Sequence, residues 1–482
     1  MATLSRVRQT RQQVRTFVMV WGAITLLMGM ATFLAIYFTY RSANAPDNNN
    51  LSVALGAPDN GQPITIPSMT PQPVTATNTA LPTIAPTQAV VAQVVASETA
   101  TDVPPPTETA TPTEIPPAQY DGFEVGIQVQ FSLDMNPNTQ DGYYNPVKNQ
   151  LGLNWVKTQV RWEEFEAEKG VYNWSILDLV MPSSKRFGLK QLLSIVTAPD
   201  WAREPGVNLE KHGPPANNQD YVNFVTALLQ RYPGQVGAIE VWNEMNIDRE
   251  WTSTRGLSAV NYVSLLRDTY QAVKAIDPGI IIITGALSPT GFNDGVGAFD
   301  DFVYTDMLIQ AGVLDYADCY GAHVNGYNMP PDVRYNEGYN DPTAIFRGPS
   351  DNPHHSWSFL STLEGYATRI AAAGRKTKLC VTEFGWAVSE DIGGYPRGFE
   401  FAQDNTLAEQ AEYFTKALTI MEESGYVRLA SVWNFNYGPQ AGYSIDNDNV
   451  PYSLIGPNFS FRPAYDAIGA WVADYKARTG KP

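Results

Sequence analysis

Histidine, cysteine and basic residues are scarce in this chain. Among 482 residues there are four histidines and two cysteines, and 32 Lys and Arg stand against 49 Asp and Glu, a net charge of −17. That shortage of cations argues against a nucleic-acid binder, because the chain would repel phosphates and anionic surfaces alike. Two cysteines make no disulfide framework. Strict alternation along their strands puts Cys319 on the face of His323 and Cys380 opposite the face of Glu383, so two free, buried thiols are expected. His212, His323, His354 and His355 show no metal-ligand spacing with the cysteines, and neither a metal nor another cofactor is expected. No Gly-rich phosphate loop follows the first strand-like run, which argues against a doubly wound sheet, and no strand leads into a Gly-x-Ser-x-Gly elbow.

Lysine and arginine are absent altogether from Ser42 to Gln119, a stretch rich in Pro and Thr, as in Thr70–Thr75 and Pro104–Thr109. Such segments cannot bury enough surface to fold and favour extended conformations, so residues 41–119 read as a disordered Pro/Thr-rich linker. Before it, Arg6, Arg8, Arg11 and Arg15 precede an uncharged run from Phe17 to Tyr40, long enough to cross a bilayer as a helix. The arginines place residues 1–16 in the cytoplasm. A cleaved signal peptide ending near Ala45 is the alternative, but the apolar run is longer than a usual signal core. The expectation is therefore a single-pass anchor over 17–40, a cell-membrane location and a folded domain outside the cytoplasm.

From 120 to 482 strand-like apolar runs alternate with helical patterns. The strands are expected at Glu124–Phe131, Trp155–Arg161, Lys190–Val196, Ala238–Trp242, Ile280–Thr284, Ala317–Val324, Lys378–Thr382 and Leu429–Asn434. Helical spacing marks Tyr221–Arg231, Val260–Ile276, Phe302–Gln310, Phe359–Ala373, Leu407–Glu423 and Pro463–Arg478, as with Val263, Leu266, Tyr270 and Val273. Eight strands alternating with helices is the count of an α/β (β/α)8 TIM barrel.

Two of those strands end in carboxylates. Ala238-Ile-Glu-Val-Trp-Asn-Glu runs into Asn243 and Glu244, and Lys378-Leu-Cys-Val-Thr-Glu-Phe-Gly into Glu383. In a parallel barrel the strand ends form the catalytic face, and a pair of carboxyl groups there is what glycosidic hydrolysis uses. The pairing resembles clan A of the retaining glycoside hydrolases, close to families 39 and 5, over about three quarters of the chain. The resemblance implies cleavage of a β-linked glycan with retention, Glu244 acting as acid/base and Glu383 as nucleophile. It further implies that Arg161 lies beside Glu383 and keeps it ionised, that Asn243 holds the sugar 2-hydroxyl, and that His323 sits in the site. Where the clan often has His-x-Tyr this chain reads His323-Val-Asn325-Gly-Tyr327, so the clan's tyrosine is either displaced to Tyr327 or replaced by Asn325. Trp433 is similar to the clan's sugar platform, while Trp201 and Trp386 are expected at the cleft. Glu244 is expected protonated at rest because Glu383 carries the negative charge. Glu240 is read as structural, paired with Lys157 or Arg161.

The expected partner is a polysaccharide or oligosaccharide, met by a monomer. The rival readings are a glycan-binding receptor on the same fold that has lost catalysis, and a transglycosylase.

Overall fold

The computed structural model describes residues 122–481. The expected cytoplasmic segment 1–16, anchor 17–40 and linker 41–119 lie outside them. Among the described residues no helix is long and apolar enough to cross a membrane. That corrects the expectation of a transmembrane helix, and with it the membrane as a partner and the single-pass location. Those readings rested on the apolar run 17–40 and the arginines before it, and no helix among the described residues carries them.

Eight strands build the barrel: β1 (Glu124–Gln128), β2 (Trp155–Arg161), β3 (Lys190–Val196), β4 (Val236–Val241), β5 (Ile281–Thr284), β6 (Tyr320–His323), β7 (Leu379–Phe384) and β8 (Val427–Val432). Each main helix follows its strand: α1 (Pro137–Asn149), α2 (Ser175–Arg186), α3 (Asn218–Arg231), α4 (Ala259–Ile276), α5 (Asp301–Gln310), α6 (Phe359–Ala372), α7 (Leu407–Ser424) and α8 (Pro463–Thr479). The strands pair in the order β5-β4-β3-β2-β1-β8-β7-β6, all parallel.

Between β5 and β6 the ladder thins to a single bridge, Ile283 with Cys319. Side chains make up part of the shortfall. Thr284 Oγ1 accepts from Gly321 N at 2.8 Å, and Asp318 Oδ2 accepts from Ile282 N at 2.8 Å. Gly321 has no alternative at this closing point, because a Cβ there would run into the Thr284 carbonyl. The barrel is thus closed on seven sides by full pairing and on the eighth by a seam.

The outward faces of the strands pack on the helices. Val156, Leu193, Ile239, Ile282 and Val381 meet Leu177, Phe224, Leu266, Leu308 and Phe414 in one continuous apolar layer. Helix ends are fixed locally. Thr406 and Glu409 form a reciprocal cap on α7, which stops at Gly425 in the left-handed conformation. Inside the barrel the lowest layer is apolar: Trp155, Leu192, Ala238, Ile281, Ile283, Cys319, Cys380 and Leu429.

The expectation of free thiols fails in that layer: Cys319 and Cys380 are disulfide-bonded, with their Cα atoms 5.7 Å apart. The cause is a bulge. Ala322 pairs with Val381 but His323 with Glu383, so β7 carries one residue more than β6 at this step. Counting back from Glu383 by strict alternation therefore puts Cys380 on the wrong face. In the structure Cys380, Thr382 and Glu383 all turn inward.

Candidate active site

Above the apolar layer the barrel interior becomes ionic. Lys157, buried on β2, lies 2.8 Å from Glu383 Oε1 and 3.4 Å from Glu240 Oε2. Glu240, fully buried on β4, also accepts from Thr382 Oγ1 at 2.7 Å. These contacts account for a carboxylate beneath the site, since a buried charge is stable only when paired and hydrogen-bonded.

Glu244 stands just beyond β4 on a distorted turn. Trp242 and Glu244 both have left-handed backbones, φ 75° and 45°. Side chains with a Cβ adopt that region at a cost, which the surroundings must over-determine. Here Glu244 N donates to Ala286 O at 2.8 Å and the Trp242 indole donates to Glu250 O at 3.0 Å. The turn holds the Glu244 carboxylate toward the barrel axis.

His323, at the end of β6, sits between the two strand-end carboxylates. Its Nδ1 is 3.2 Å from Glu244 Oε1 and its Nε2 3.7 Å from Glu383 Oε1. The two glutamates keep 15% and 12% of their side-chain surface while His323 keeps 1%, so the carboxylates open to the cleft and the imidazole backs them. Burial works against a charged His323, but the charge of Glu383 and the hydrogen bond and charge of Glu244 together raise its pKa. Arg249 completes the cluster, with Nη2 3.3 Å from Glu244 Oε2 and Nε 3.4 Å from Glu250 Oε1. Lys157, His323 and Arg249 thus face Glu240, Glu244 and Glu383.

That balance corrects the expected protonation of Glu244. Burial raises its carboxyl, but the His323 hydrogen bond and the Arg249 charge outweigh burial and hold it at about 2. The displaced proton-holding tendency falls on Glu250, which burial and the charge of Glu244 push up to about 7.

Arg161 is not beside Glu383. It ends β2 and opens the one-turn helix Trp162–Phe165, where its guanidinium meets Glu163 Oε1 at 2.5 Å, Glu164 Oε1 at 3.2 Å and His212 Nε2 at 3.3 Å. Strand parity put Lys157 and Arg161 on one face. Lys157 makes the contact with Glu383, while the charge of Arg161 is felt by Glu250 and Tyr437.

The aromatic residues separate into lining and packing groups. Trp433, half-buried after β8, has Lys157 Nζ 5.8 Å from its ring centroid and lies beside Tyr437. Trp386 is fully buried and donates to Met329 O at 2.9 Å, so it braces a loop. Trp201 donates to Glu166 O at 2.8 Å, packs edge-on against Trp162 and is covered by Lys169. Tyr327 stands against Trp357 and Phe401 in a small aromatic cluster, its hydroxyl pushed up to about 12 by burial and by the charge of Glu244.

Two residues missed in the sequence, Arg249 and Glu250, lie on the irregular segment after β4. A third, Tyr437, accepts from Gln128 Nε2 at 3.1 Å and feels the charge of Glu383, which with burial lifts its hydroxyl to about 12. Loops without periodicity carry no strand or helix signal, and only the density of charge in Asp248-Arg-Glu250 marks this one.

Asn243 Oδ1, Asn325 Oδ1 and His323 Nε2 are buried and have no hydrogen-bond partner in the protein. Unsatisfied polar atoms of this kind, one of them on the imidazole between the two carboxylates, suit a ligand with many hydroxyl groups.

No family model matches the sequence, and no curated protein does. Solved structures do match. A family 39 glycoside hydrolase from Bacteroides cellulosilyticus WH2 superposes with a TM-score of 0.53 at 20% identity, covering 73% of this chain. The match covers 64% of that enzyme's chain, so less than two thirds of its length has a counterpart here. A family 5 subfamily 18 structure from Streptomyces cattleya, in complex with GlcNAc, superposes with a TM-score of 0.50 at 14% identity over 76% of this chain and 82% of its own. The chain has the TIM-barrel fold of the clan-A glycoside hydrolases.

Proposed function

We propose that the barrel domain is a retaining glycoside hydrolase acting on β-linked glycans. The observation that carries this reading is the imidazole of His323, which brings the carboxylates at the ends of β4 and β7 into one charged cluster open to the cleft. Glu383 attacks the anomeric carbon, and the Lys157 ammonium, 2.8 Å from its Oε1, aims it. Glu244 protonates the leaving oxygen and then activates water against the glycosyl-enzyme. At rest Glu244 is ionised, so it must take up a proton from solvent as substrate enters. A sugar displacing the exposed Arg249 guanidinium from Glu244 removes one of the two forces that hold the carboxyl down. In this reading Asn243 binds the 2-hydroxyl and Trp433 stacks on a sugar face.

The test is reducing-sugar release from a panel of β-glycans, followed by two substitutions. Glu383→Ala should lose activity on every substrate. Glu244→Ala should still form the glycosyl-enzyme from an activated aryl glycoside, and azide should restore turnover and yield a β-glycosyl azide. An α-azide obtained from Glu383→Ala would reverse the two roles. Glycan binding without release by the unaltered chain would make it a receptor.

A further inference from the structure

The loops that follow β5 and β6 meet at a polar cluster that the proposed reaction does not use. Asp300 caps α5, its Oδ1 accepting from Phe302 N at 2.9 Å and Val303 N at 3.1 Å. Its other oxygen, Oδ2, faces His354 Nε2 at 3.3 Å. Next to it, His355 lies flat on Phe302, ring centroids 3.5 Å apart, with Nε2 2.9 Å from Asp301 Oδ1. Asp301 is itself anchored, accepting from Tyr366 Oη at 2.7 Å and Thr290 N at 3.0 Å. One ligand atom from each of Asp300, His354 and His355 lies within 4.8 Å of the others.

We propose that Asp300, His354 and His355 form a zinc site that clasps the loop before α5 to the loop before α6. Zinc bonds to imidazole nitrogen and carboxylate oxygen of about 2.0–2.2 Å set tetrahedral neighbours about 3.4 Å apart. The Asp300–His354 edge, at 3.3 Å, already has that spacing. The other edges lie within 4.8 Å, so His355 must draw in toward the ion as it binds. Asp301 plays the part of the outer carboxylate that orients a ligating histidine through one nitrogen and leaves the other, Nδ1, for the metal. His354 is held likewise, its Nδ1 3.0 Å from Ser356 Oγ, which can accept an Nδ1–H, and its Nε2 pointing at Asp300.

The charge balance also suits a dication. The N-terminus of α5 disfavours a cation, but Asp300 spends one oxygen on the helix N–H groups and offers the other outward. Asp300 and Asp301 together match the two charges of the metal. Two neutral imidazoles and one carboxylate are a zinc donor set, with a fourth position left for water. Without metal, the Nε2–H of His354 donates to Asp300; on binding, the ring changes tautomer, its proton passing to Nδ1, 3.0 Å from Ser356 Oγ, and the ion takes the lone pair freed on Nε2. The clasp spans the seam between β5 and β6, where main-chain pairing is thinnest.

The experiment titrates chelator-dialysed full-length protein with zinc and, for its visible spectrum, with cobalt(II). One equivalent should bind, raise Tm and give the absorption of tetrahedral cobalt. Asp300→Asn keeps the helix cap, since Asn caps as well as Asp, but removes the anionic ligand. His354→Ala removes a nitrogen. Each should weaken zinc binding at least tenfold, with an unchanged circular dichroism spectrum for Asp300→Asn. A wild-type chain that takes up no stoichiometric metal, or an Asp300→Asn chain that binds it as tightly as wild type, overturns the proposal.

Discussion

Glu244 owes its state to neighbours on two kinds of backbone, a strand end and an irregular turn. His323 was found at a strand end, where parity and position both single it out. Arg249 was not, because it lies on a turn that no periodicity describes. Its role can be measured. Arg249→Ala removes a cation from Glu244, so the proton donor should persist to higher pH. The upper limb of the pH–rate profile should therefore move alkaline while kcat at low pH changes less. Glu250 gives a second, independent test on stability. Its folded pKa of about 7 lies above the ordinary 4.5, so its contribution is complete below about 4.5 and is lost as pH rises through 7. Glu250→Gln should flatten the decline of Tm across that window. Glu244 has the opposite sign, with stability present above its ordinary 4.5 and lost as pH falls toward 2. An acid-side loss that persists in Glu250→Gln would separate the two.

At the scale of elements, all eight strands were legible as apolar runs, because parallel strands buried on both faces leave little polar interruption. Two helices were not. α1 and α2 carry Pro146 and Pro182 within them, and a proline reads as a helix breaker. α1 is also polar along most of its length and buries only Gln140, Tyr144, Pro146 and Val147, so its apolar stripe is faint. The bulge in β7 was invisible for a related reason: alternation is a rule about regular pairing, and one extra residue reverses every inference drawn across it. The carboxylate pair survives such an error because each glutamate was placed by its strand end, whereas the cysteines were placed by counting. The seam makes the clearest prediction at this level. Gly321→Ala sets a methyl against the Thr284 carbonyl and must push β5 from β6, at a cost of about 1–3 kcal/mol. Urea unfolding should show it, and an unchanged midpoint would mean that the seam is already slack.

For the whole molecule, the crosslink between Cys319 and Cys380 sets a large term. It closes a loop with a sequence separation of 61 residues, for which chain entropy gives about 4 kcal/mol at room temperature. Replacing both cysteines by alanine should lower the unfolding free energy by about 3–4 kcal/mol, read from the urea midpoint of the full chain. Because both sulfurs lie inside the barrel, reductant should leave the folded protein intact and attack only once it has opened. The eighth side of the barrel bears on where that opening begins. A ring whose staves are all equally joined has no preferred point of failure, but this one has a clasp. The amides of Ile282, Asp318, Cys319 and Gly321 stand at the clasp and should exchange with solvent ahead of their neighbours in β3 and β4. The same hinge line runs up between the loops carrying Asp300 and His354, so anything that fastened those loops would quieten the slowest breathing of the entire barrel.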